Sequence, residues 1–159
     1  MSAKRARFGM KLFILSESQS GYIQNIILYT GKDTNYGSNY PQEKQSTRIV
    51  LELTHDLLNK GYRIYLDNFY MSIHLAELLC QNNTDTVGIM WINIVGIPSE
   101  IKTKKLQKNE HIVRFKDKLI VLKWKDKNDV LLLSSIHNYE KTMIEKGKKA
   151  RNTECCPGL

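Results

Sequence analysis

Asp67 stands at the tip of an apolar, β-prone run, Tyr62-Arg63-Ile64-Tyr65-Leu66, and Asn68-Phe69-Tyr70-Met71-Ser72 leads on to a helix start. A strand that delivers a carboxylate beside a helix start is one way enzymes of phosphoryl transfer hold a divalent metal ion. The chemistry needs more than one acid. Glu17 closes an earlier β-prone run and is the second candidate. Each has a local alternative. Asp67 can serve a turn by holding nearby backbone amides, and Glu17 can be a solvated turn acid.

Other reactive groupings are absent from the pattern. His55, His74, His111 and His137 lack metal-ligand spacing, and no glycine-rich phosphate loop or Ser/His/Asp arrangement is present. Asp33 reads as a loop residue and Asp56 as a helix-surface residue. Cys80 fits a small core residue, while the adjacent Cys155 and Cys156 cannot form a C-x-x-C knuckle. These cysteines support neither a disulfide framework nor a zinc site, so a reduced compartment is expected. Trp91 and Trp124, within β-like segments, are expected as core aromatics rather than base-stacking platforms.

The elements around these residues follow from periodicity and turn chemistry. Phe8–Leu15, with Phe8, Met10, Leu12 and Ile14 alternating, and Tyr22–Tyr29 predict a hairpin across a polar turn. A loop over 30–45 precedes a helix over 46–60, capped by Ser46 or Thr47 and ending at Gly61. Ser72 is placed to cap a second helix carrying Leu75, Leu78 and Leu79. Strands are expected at 86–92, 110–115, 119–124 and 130–135. This order gives an α/β core with mixed strand directions. A crossover through the 46–60 helix could set the 62–66 strand beside the first strand, opening Glu17 and Asp67 onto one edge.

The chain of 159 residues fits one domain, and its net charge of +8 is unevenly placed. Residues 1–101 hold nine basic and nine acidic side chains, and residues 102–159 hold fifteen and seven. Lys102, Lys104, Lys105, Lys108, Lys116, Lys118, Lys123, Lys125 and Lys127 dominate the later half. Such a footprint suits a polyanion, while charge alone leaves a solvated lysine-rich surface equally open. No apolar run is long enough for a membrane span and the basic start lacks a secretory signal's apolar segment, so no membrane partner and an intracellular location are expected.

Four blocks in order resemble the piggyBac transposase family, including its domesticated, transposable-element-derived members. They are Arg7-Phe8-Gly9-Met10-Lys11; Glu17-Ser18-Gln19-Ser20-Gly21-Tyr22 through Tyr29-Thr30-Gly31; Tyr65 through Ser72; and Gly88 through Leu133-Ser134-Ser135-Ile136-His137-Asn138. The resemblance implies an RNase H-like core, a nuclear setting, DNA as partner, and a homodimer or a related transposase as a further partner. It also implies three acids holding two divalent metals, magnesium by preference, about 4 Å apart. Asp67 matches the second acid. Glu17 stands where the pattern has aspartate, and an added methylene displaces a ligand by an amount that can cost about a hundredfold in rate. Nothing after Asn138 matches the third acid's surroundings.

These observations predict an incomplete RNase H-like mixed-sheet core over 9–138, with a β-rich insertion at about 86–136. A basic lead-in over 1–8 and a disordered basic tail over 139–159 flank it. The expected function is residual DNA binding without catalysis. The alternatives are one piece of an active transposase whose remaining acid lies elsewhere, and a non-catalytic interaction module or inert remnant.

Overall fold

The computed structural model describes residues 9–137, which fall into two compact units divided between Asp56 and Leu57. The expected lead-in and tail, with Cys155 and Cys156, lie outside the described residues.

In the first unit, β1 (Lys11–Ser16) and β2 (Ile23–Tyr29) form the expected antiparallel hairpin, followed by α1 (Gln45–Thr54). Strand side chains alternate, so only one face of the hairpin can be buried. The buried face is not the one the alternation suggested. Phe13 is buried against Tyr29, with ring centroids 6.0 Å apart, whereas Leu12 and Ile14 remain exposed.

Helix α1 buries Ile49, Val50, Leu51 and Leu53 and stops at Thr54, short of the expected end at 60. It begins earlier than expected. Lys44 holds the cap position without a side-chain bond, and Ser46 and Thr47 lie inside the first turn. Glu52 is buried on the same helix. Its carboxylate accepts from the backbone N–H and Nδ2 of Asn39, both at 2.8 Å, and from the Tyr40 N–H at 3.2 Å. Three donors satisfy a charge that would otherwise be costly to bury. Gly37 lies against this carboxylate at φ +95°, where an added Cβ would sit 2.3 Å from Glu52 Oε2.

The second unit runs β3 (Arg63–Leu66), α2 (Ile73–Gln81), β4 (Asp85–Ile89), α3 (Ser99–Thr103), β5 (His111–Lys116), β6 (Leu119–Lys125) and β7 (Asp129–Ser134). One mixed sheet has the order β3-β4-β7-β6-β5. Only β3 and β4 are parallel. The strands expected in a β-rich insertion thus extend β3 into a single sheet. The expected crossover is corrected: β3 takes β4 as its hydrogen-bonded neighbour, and β1 pairs with β2 alone. Helix α2, not α1, makes the parallel connection, because it lies between the two strands that pair.

Met71, Ile73, Ala76 and Met90 join Ile101, Ile112, Val121 and Leu133 in one buried cluster, with Cys80 packed against it. Gly88 permits a close approach between β3 and β4. A Cβ there would lie 2.2 Å from the Leu66 carbonyl oxygen and 2.7 Å from Met71 Cε.

Candidate nucleic-acid interface

Asp67 leaves β3 into a tight turn. Its carbonyl accepts from the N–H groups of Tyr70 at 3.0 Å and Met71 at 3.1 Å. Its Oδ1 accepts from Asn68 N–H at 2.6 Å, and the side chain is exposed. Ser72 Oγ then accepts from Leu75 N–H at 3.1 Å, the expected cap of α2. Burial raises the Tyr70 phenol above its ordinary pKa, and the charge of Asp67 adds to this. The turn role and an outward-facing carboxylate are therefore both realised in one residue.

Glu17 lies in the β1–β2 turn. Its N–H donates to Tyr22 O at 2.8 Å, its carbonyl accepts from Gly21 N–H at 3.0 Å, and Ser20 Oγ donates to its carboxylate. Magnesium requires near-octahedral oxygen coordination. Among the described residues no three His, Cys, Asp or Glu side chains gather to hold a metal ion.

Chain direction fixes what shares an end with Asp67. Parallel β3 and β4 both finish there, with Leu66 aligned to Gly88. Antiparallel β7 starts at that end, since Ile89 aligns with Leu132 and Met90 N–H donates to Leu131 O at 2.9 Å. The β6–β7 turn therefore lies at the Asp67 end of the sheet. β3 and β6 are three strand spacings apart, roughly 14 Å.

The nine candidate lysines divide accordingly. Lys127 is exposed in the β6–β7 turn. Lys108 is held near by Asn109 N–H, which donates to Lys125 O at 2.8 Å. Lys102, Lys104 and Lys105 are exposed along and just after α3. Lys125 pairs with Asp129 at 2.8 Å, a contact that leads in holding this carboxyl below its ordinary pKa. Lys116 and Lys118 lie at the opposite end, across a strand length of roughly 20 Å. There Lys116 pairs with Glu77 at 2.7 Å, and a cavity of ≈ 240 Å³ reaches Cys80, whose thiol burial pushes up in pKa.

Lys123 departs from its expected role. It is 2% exposed, and its Nζ donates to Ile101 O at 3.0 Å and Lys104 O at 2.7 Å, with Asp129 Oδ2 at 3.2 Å. Its ammonium ties the end of α3 to β6 and is out of reach of phosphate. The tryptophans are also corrected. Trp91 is 60% exposed and Trp124 43%. Trp91 lies just past the end of β4, and Trp124 points to the sheet face opposite the buried cluster. Asn93, Gly96 and Pro98 in the run after β4 were the available sign of a loop beside Trp91.

No helix among the described residues is long and apolar enough to cross a membrane. The fold matches that of piggyBac transposase, solved in a synaptic complex with hairpin DNA, at a TM-score of 0.73 and 24% identity. The match covers 92% of this chain, which spans 32% of that transposase. A family model described as Transposase IS4 matches residues 1–158. The chain belongs to this family of DDE transposases, with the mixed α/β fold of a piggyBac-like core.

Proposed function

We propose that this chain is a DNA-binding portion of a transposase core, acting in the nucleus, and that it does not cut or join DNA by itself. The observation that carries the DNA reading is topological. Strand direction puts Asp67 and the exposed Lys108 and Lys127 at one end of the sheet, and the exposed Lys104 is joined to β6 through Lys123. A polyanion lying along that end meets the cations and the carboxylate position together. The solved relative is a DNA complex, which favours the same partner. The second half of the proposal rests on the donors: among the described residues no three His, Cys, Asp or Glu side chains gather around Asp67, and Glu17 is engaged by Ser20 in its own turn.

Titration of a labelled duplex by fluorescence anisotropy tests this reading. With about four phosphates engaged, affinity falls roughly a hundredfold between about 50 and 200 mM salt. Charge reversal at Lys104, Lys105 and Lys108 together abolishes most binding and flattens the salt slope. Failure to bind duplex at low salt would leave the interaction-module reading in its place. Nicking of DNA with Mg²⁺ or Mn²⁺, lost on Asp67→Ala, would overturn the non-catalytic half. The 32% span favours one further reading, in which these residues are one piece of an active transposase. An in-frame transcript extending past Leu159 and supplying a third acid would support it.

A further inference from the structure

Trp91 is held outward by the loop that carries it. Its neighbour Met90 is buried in the core, and the Trp91 carbonyl accepts from Ile94 N–H at 3.2 Å. Farther along, Gly96 lies against the start of α2, where an added Cβ would sit 3.2 Å from Ile73 Cδ1. The loop is thus fixed before and after the indole, leaving Trp91 60% exposed. Phe69, 58% exposed, belongs to the Asp67 turn at the same end of the parallel strand pair. The run Ile89–Pro98 carries no charge, and the exposed cations Lys102, Lys104 and Lys105 follow it.

A flat, fixed π surface at the sheet end that also carries the Asp67 carboxylate and the exposed Lys108 and Lys127 has the chemistry of single-stranded nucleic-acid binding, in which bases stack and phosphates meet lysines. In a paired duplex both faces of a base are covered by its neighbours. Only a base released from the stack can offer one to an indole. An apolar protein segment would use the indole but not the lysines at the same sheet end, so the charge pattern favours the base.

We propose that Trp91 stacks on an unpaired nucleobase and holds it beside Asp67 at the carboxyl end of the β3–β4 pair. This rests on the DNA-binding reading above and specifies the form of DNA recognised.

The test compares a short duplex containing one unpaired thymine with the fully paired duplex, both titrated against the full chain. The unpaired base raises affinity, and Trp91→Ala removes that preference, by roughly 5- to 100-fold, leaving paired-duplex binding unchanged. Trp91→Phe keeps part of the preference, and an abasic site at the unpaired position mimics Trp91→Ala. Equal binding of both duplexes by the unaltered chain overturns the stacking inference while leaving DNA binding intact. An equal loss on both DNAs in Trp91→Ala also overturns it. If neither duplex binds at low salt, this inference and the DNA reading fail together. Preferential capture of an apolar peptide, with no effect of the unpaired base, assigns the surface to a protein instead.

Discussion

Lys123 carries a charge into the second unit's interior, where two carbonyls and Asp129 take up its donors. Replacement by methionine keeps much of the volume but leaves the Ile101 and Lys104 carbonyls unpartnered. Lys123→Met is expected to lower stability by about 2 to 4 kcal/mol in urea unfolding, against well under 1 kcal/mol for Lys127→Met. Gly88 meets a different limit. The atoms a Cβ would strike include the Leu66 carbonyl, which is backbone and cannot swing aside. Gly88→Ala should cost about 2 to 3 kcal/mol by the same measurement. Neither role was legible from residue type. Lysine in a basic run reads as surface, and a glycine in a strand does not reveal which backbone approaches it.

At the scale of elements, the loop before α1 depends on one helix side chain. Glu52 gathers Asn39 and Tyr40 by three hydrogen bonds. Glu52→Ala is expected to release that loop, seen as faster tryptic cleavage after Lys32 and Lys44 than in the unaltered chain. The strands themselves were readable, because polar turns such as Lys116-Asp117-Lys118 bound alternating runs. Ser72 was equally readable as a cap, since capping is decided within a few residues. Pairing was not. The neighbour of β3 depends on contacts distant in sequence, and the choice fell to the strand across α2. The buried face of β1 was ambiguous because Leu12, Phe13, Ile14 and Leu15 are all apolar. Alternation selects a face only when the two faces differ, and here the aromatic contacts of Phe13 decided it.

Across the molecule, the sequence located a basic half but not its division between opposite ends of a sheet. Asp67 was legible as a candidate from its place after a strand. Its company was not, because that depends on the directions of β4, β7 and β6. The lysine clamp beneath the basic segment has a thermodynamic consequence. Lys123 fixes the end of α3, so Lys104 and Lys105 leave the protein from a backbone that is already ordered. Binding duplex need not fold that segment first. Calorimetry at several temperatures should then return a small heat-capacity change for the unaltered chain. Lys123→Met, with its loop freed, should show a larger negative value and a less favourable binding entropy at the same salt. The interior ammonium would thus shape how the protein meets its ligand without touching it.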